Sequence, residues 1–176
     1  MEKLHIGVGK VYLPGWINVD IFGNVKADIY CNALALPYER ERFDLIYCSH
    51  ILEHFNRHFV LAALTHWRDL LRSGGILRLS VPNFSAICRR YQITHDLNEV
   101  MGLLYGGQES FLNAHHVVFD EKLLTEYLSM VKFKTIRPWD WRSTEHTYFD
   151  DYSQAYLPHM DKENGLLMSL NLEAIK

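Results

Sequence analysis

Leu4-His5-Ile6-Gly7-Val8-Gly9-Lys10, followed closely by Trp16-Ile17-Asn18-Val19-Asp20, is the stretch on which the rest of the chain turns. An apolar run ends in two glycines one residue apart, and a second apolar run ends in a carboxylate. Glycine at that spacing lets the backbone turn tightly and come close to a ligand that a Cβ would hold away. A carboxylate ending the next strand can accept hydrogen bonds from ribose hydroxyls. The pair points to an adenosine-type group at the carboxyl ends of a parallel sheet.

Working outward, apolar runs at Lys3 to Val8, Trp16 to Ile21, Ala27 to Tyr30, Phe43 to Cys48 and Ile76 to Val81 read as strands. The fourth is nearly continuous in apolar residues, as strands covered on both faces are. From Asn56 to Leu71, Phe59, Val60, Ala63, Leu64, Trp67, Leu70 and Leu71 recur at helical spacing, and Ser73-Gly74-Gly75 predicts the stop. Phe84 to Leu104 reads as two helices separated near Thr94 to Asp96. Asp120 caps a helix through about Met130. Phe133 to Ile136 and Leu166 to Ile175 complete seven strands. Strand and helix alternating in this way predict an α/β fold with a mostly parallel sheet in one domain, residues 1–176. Residues 84–118 form a helical and loop insert over the carboxyl ends. Residues 138–165 form a long aromatic loop, of a length that is usually functional or poorly ordered.

One connection is unusual. Only Val8 to Gly15 separate the first two strands, whereas parallel neighbours are normally joined through a helix. A five-residue strand spans about 17 Å and eight extended residues reach roughly 26 Å, so a stretched strap closes the return. No helix dipole then faces the ligand at this loop.

Composition narrows the function classes. A net charge of −3 gives no electrostatic footprint for nucleic acid. No apolar run approaches the roughly 20 residues of a membrane span. Cys31, Cys48 and Cys88 have neither disulfide nor metal spacing and read as thiols of a reducing compartment, which makes the cytoplasm the expected location.

The order glycine loop, Asp20, Phe43-Asp44-Leu45-Ile46-Tyr47, His50-Ile51-Leu52-Glu53-His54, then Leu70-Leu71-Arg72-Ser73-Gly74-Gly75-Ile76-Leu77 resembles the class I S-adenosylmethionine-dependent methyltransferases of the small type 11 kind. The resemblance covers Leu4 to Phe84 well and His116 to Ile136 more loosely. It extends to short methyltransferases of polysaccharide-biosynthesis type, whose first two strands are also joined without a helix. It implies a Rossmann-like sheet of order 3-2-1-4-5-7-6 and S-adenosyl-L-methionine as cofactor. Gly7 and Gly9 would lie against the methionine part, Asp20 would hold the ribose, and Asn32, Ala33 and Leu34 would flank adenine. Ser49 would border the methyl-donating end. His50, His54, His115 and His116 are candidate bases or acceptor contacts, since histidine titrates near the pH such a base needs. The acceptor would be a small molecule, with a sugar or polysaccharide precursor as the finer reading.

This chain departs from the family at His5, where the pattern is acidic, and at Val11, where it is glycine. Losing a carboxylate partner for the cofactor's ammonium costs roughly 1.5–3 kcal/mol. A second reading follows from these changes: a binding or assembly module of the same fold that has lost the cofactor. His50 to His54 also fits the H-x-x-E-H pattern of inverted zinc peptidases. Because His50 directly follows a buried strand, that motif straddles a loop, and no metal is expected. The aromatics from Trp139 to Tyr156 suit sugar stacking, a homodimer contact or core packing.

Overall fold

The computed structural model describes residues 1–176. In chain order, the strands of the main sheet are β1 (Lys3–Ile6), β2 (Ile17–Asp20), β3 (Ile29–Tyr30), β4 (Phe43–Ser49), β5 (Leu71–Pro82), β6 (Thr135–Pro138) and β9 (Ser169–Ile175). A small hairpin of β7 (Tyr156–Leu157) and β8 (Leu166–Leu167) stands apart. The seven-stranded order is β3-β2-β1-β4-β5-β9-β6, with β9 antiparallel to both neighbours and every other pair parallel. With β9 as the seventh strand of the sheet, this is the Rossmann-like order expected from the sequence. No helix joins β1 to β2.

Helix α1 (Arg57–Leu70) starts where Asn56 Oδ1 accepts the His58 N–H. Its buried stripe of Val60, Ala63, Leu64, Trp67 and Leu70 packs on one face of the sheet with Leu4, Ile6, Ile46, Cys48, Leu77 and Leu79. Trp67 Nε1 also donates to the Ala33 carbonyl at 2.9 Å, pinning the loop after β3 to that helix. Helix α4 (Glu121–Met130), capped by Asp120, adds Leu124 and Leu128 to the same core.

The sequence places β6 two residues early, at Phe133 to Ile136, and two further boundaries differ for clear physical reasons. The glycines at 74 and 75 do not end α1. The chain turns extended at Leu71, which already pairs with Phe43, and residues 72–75 loop out before pairing resumes at Ile76 opposite Leu45. Gly75 sits inside this bulge, where a Cβ would lie 2.9 Å from the Arg72 carbonyl oxygen. The expected single strand over Leu166 to Ile175 is two strands broken at Met168. The Met168 N–H donates to Ala155 and its carbonyl accepts from Asn83.

The opposite face of the sheet has no α1-like helix. Leu13 and Trp16 from the strap, Leu45 and Tyr47 from β4, and Trp139 from the long loop form a separate apolar cluster there. His146 lies among them, with its ring centroid 4.2 Å from that of Tyr47 and 5.8 Å from that of Trp16. The 138–165 segment is therefore an ordered aromatic cover for the face left bare by the missing helix. Asn18 holds the strap down. Its Oδ1 accepts the Leu13 N–H at 2.9 Å, and its Nδ2 donates to the Leu13 and Trp16 carbonyls.

Candidate functional site

Strand direction brings the carboxyl ends of β1, β2 and β4 together, the edge at which open α/β sheets bind ligands. A cavity of about 990 Å³ opens there. Its roof comes from α3 (Asn98–Tyr105), the 106–115 loop and the β7–β8 hairpin, while α2 (Phe84–Thr94) packs behind α3.

The glycine turn and Asp20 face one another across this opening. Asp20 is buried, its Oδ2 accepts the Gly9 N–H at 2.9 Å, and its Oδ1 accepts the Phe22 N–H at 2.9 Å. An ionised carboxylate offers about four acceptor positions, so two remain for hydroxyls. The two glycines serve different ends. Gly7 has φ +78°, and a Cβ there would lie 2.1 Å from Ile51 Cδ1. Gly9 has φ +51°, and a Cβ there would meet nothing within 4 Å. Gly7 makes room for protein; Gly9 leaves space on the ligand side.

Ala33 and Leu34 line the cavity beside Asn32, whose Oδ1 is engaged in a local turn with the Leu34 N–H. Ser49 lines it too, with a buried hydroxyl that has no protein partner. His5 is buried under the strap, with Nδ1 3.2 Å from Asn18 Oδ1 and its ring stacked on Tyr47. Burial lowers its pKa, so it is neutral and supplies no charge. A carboxylate nevertheless reaches this region. Asp151, from the aromatic loop, accepts the Tyr47 hydroxyl at 2.5 Å, lines the same cavity and lies close enough to His5 to act on its titration.

The other end of the cavity is a histidine cluster. His50, His54 and His115 line it, whereas His116 is exposed, packs near Phe111 and lies outside the cavity. His50 follows β4 with φ +52°, a left-handed conformation costly for a residue with a Cβ. Its Nε2 is 2.9 Å from Ser169 Oγ. A 3-10 turn over Leu52–His54 then places Glu53 fully inside, with Oε1 3.3 Å from His50 Nδ1 and 4.0 Å from His115 Nε2. The Glu53 carbonyl accepts the His116 and Val117 N–H groups, which is why the 111–118 loop lies here. Burial raises the Glu53 carboxyl to about 8. Burial, then the neighbouring imidazoles, lowers His50 to about 3 and His115 to about 4. His54 is lowered by burial as well.

Neither Glu53 nor Asp151 stands among the candidates drawn from sequence. Glu53 carried a signal, a carboxylate between His50 and His54 just past a buried strand. Asp151 carried a weaker one, as half of a carboxylate pair in an aromatic loop.

Residues 19–79 match the family model described as a methyltransferase domain. No curated protein sequence matches the chain. Among solved structures it is similar to an S-adenosylmethionine-dependent methyltransferase from Archaeoglobus fulgidus (15% identity, TM-score 0.62), covering 99% of this chain and 86% of that one. One from Methanosarcina mazei gives 17% identity and TM-score 0.62, with 99% and 92% covered. The 1,6-didemethyltoxoflavin-N1-methyltransferase of Burkholderia thailandensis, solved with 1,6-didemethyltoxoflavin and S-adenosylhomocysteine bound, gives 17% and 0.58, with 99% and 70% covered. The fold is that of the class I S-adenosylmethionine-dependent methyltransferases, and the stretch from β2 to β5 carries that domain's sequence pattern.

Proposed function

We propose that the protein is an S-adenosylmethionine-dependent methyltransferase acting on a small molecule held over the carboxyl ends of the sheet. The observation that carries this reading is the Asp20 carboxylate turned onto the Gly9 N–H at the mouth of an open cavity. That cavity is at the upper end of the volumes that hold cofactors and drug-sized ligands. The alternative, a module without cofactor, would have bulky side chains filling this space. None does.

Asp20 would hold the ribose hydroxyls with its two remaining acceptor positions, and the Ala33–Leu34 segment, which lines the cavity, would flank the adenine. Asp151, which lines the cavity, would take over the task of the acidic residue absent at His5 and hold the cofactor's ammonium. Bound S-adenosylmethionine supplies the electrophilic methyl group. The chain's own contribution is to hold acceptor and methyl in line, which accounts for most of the acceleration such a transfer needs. His50, His54 and His115 make up the acceptor end, suited to a hydroxyl or amine. Tyr152 is exposed beside His50, with ring centroids 5.2 Å apart, and offers a stacking surface for a sugar precursor. Three free thiols fit a cytoplasmic enzyme.

Isothermal titration with S-adenosylhomocysteine tests the reading. Saturable one-to-one binding that is weakened at least tenfold by Asp20→Asn is expected. No heat from the wild-type protein at millimolar ligand would overturn it.

A further inference from the structure

The lone pairs around Glu53 do not balance. His54 Nδ1 is 3.1 Å from the Ala114 carbonyl and His115 Nδ1 is 3.0 Å from the Leu103 carbonyl. A carbonyl only accepts, so both rings carry hydrogen on Nδ1 and leave Nε2 as a bare lone pair. Ser169 Oγ donates to the Tyr152 carbonyl, so it accepts from His50 Nε2. His50 Nδ1 is the ring nitrogen that faces Glu53, 3.3 Å from Oε1. Glu53 is 0% exposed, and neither carboxylate oxygen has a hydrogen-bond partner. Both Glu53 oxygens are thus buried without a partner, which native interiors avoid, and the ring nitrogens of His54 and His115 meet them at the cavity wall. A single proton on Glu53 satisfies one contact and leaves the rest.

We infer that Glu53, His54 and His115 form a divalent transition-metal site at the acceptor end of the cavity. Their ligand atoms lie within 4.8 Å of one another, and two of the three residues border the cavity. Two imidazoles and one carboxylate are the ligand set of open catalytic sites, with positions left for an outside oxygen. Imidazole ligands favour zinc, iron or cobalt over magnesium and calcium. Each histidine has its remote N–H donated to a backbone carbonyl, the support that fixes tautomer and ring direction in metal-binding histidines. The 4.0 Å from Glu53 Oε1 to His115 Nε2 exceeds by roughly 0.6–0.7 Å the spacing of two ligands on a tetrahedral ion with bonds of about 2.0–2.1 Å. Binding thus draws the 111–118 loop inward. Histidine pairs of this kind on H-x-x-E-H helices are both supplied by the motif itself. Here the second comes from His115, about sixty residues further on.

The inference deepens the methyltransferase reading, since the open positions of the ion would face an acceptor oxygen and select hydroxyl-bearing molecules. With the ion present, His54 and His115 are ligands rather than bases. It can fail separately from that reading.

The test is titration of chelator-stripped protein with Co²⁺ alone, followed by its visible absorption. One ion per chain is expected, with affinity lowered at least about tenfold in His54→Ala and in His115→Ala. His116→Ala, on the exposed neighbour, should bind as the wild type does. Failure of the wild-type protein to bind Co²⁺, or binding unchanged in both ligand variants, would overturn the proposal. His115 lies on a loop, so its variant remains informative even if His54→Ala folds poorly. S-adenosylhomocysteine titration of the stripped protein runs independently of the ion: binding there with no Co²⁺ site sinks the metal and leaves the methyltransferase.

Discussion

Gly7→Ala and Gly9→Ala should fail for opposite reasons, although they are two residues apart in one turn. Both backbones are left-handed, at φ +78° and +51°, which costs an alanine about 1–2 kcal/mol. At Gly7 the new methyl must also displace Ile51, whose Cδ1 and Cγ1 lie 2.1 and 2.2 Å from the Cβ position. Overpacking of that kind adds about 1–3 kcal/mol, for a total of roughly 2–5 kcal/mol. At Gly9 nothing adds to the backbone cost, but the methyl stands on the ligand side. Urea unfolding should rank Gly7→Ala as much the less stable, and calorimetry should show the larger loss of S-adenosylhomocysteine affinity in Gly9→Ala. A second substitution isolates the steric part. In the background of Ile51→Ala, the penalty of Gly7→Ala should fall to about 1–2 kcal/mol, the backbone cost alone. Equal destabilisation by the two alanines, or wild-type affinity in Gly9→Ala, would refute the division of labour.

Asp151→Asn should weaken S-adenosylhomocysteine at least about tenfold, one charged hydrogen bond. It should leave methylthioadenosine, which lacks the amino-acid portion, bound as before; an equal loss for both would place Asp151 elsewhere. Asn18→Ala removes the bonds that hold the strap and should cost about 2–4 kcal/mol in chemical denaturation, since buried Leu13 and Trp16 groups lose their partners. His146 is buried with both ring nitrogens unpartnered, and burial lowers it to about 4. The unfolded chain takes up its proton near pH 6.5 and the folded chain only near 4, so stability falls as pH drops through that window. His146→Phe should flatten this acid limb and raise the midpoint of thermal unfolding at neutral pH. An unchanged slope between pH 6.5 and 4 would show that other groups carry it.

The fold was legible because burial follows local periodicity. Val60, Ala63, Leu64 and Trp67 recur every three to four residues, as a helix lying on a sheet must have them. The turn residues were less legible. Gly74 and Gly75 look like a helix stop, yet they form a bulge in β5 because pairing with β4 resumes only at Leu45. Met168 has no local mark of its own. It breaks the last strand because Ala155 and Asn83 claim its backbone groups.

By itself the sequence determined most of the individual strands, the strap without a helix, and the Gly9–Asp20 pair, since each is written in residues fewer than twenty apart; the order of the strands came with the family resemblance. Only the tertiary structure decided that the aromatic loop covers a bare face, that Asp151 arrives where His5 brings no charge, and that His115 joins Glu53 and His54. Such meetings are set by which strand ends lie side by side and by backbone bonds such as that from His116 to Glu53. No local pattern of apolar and polar residues records them.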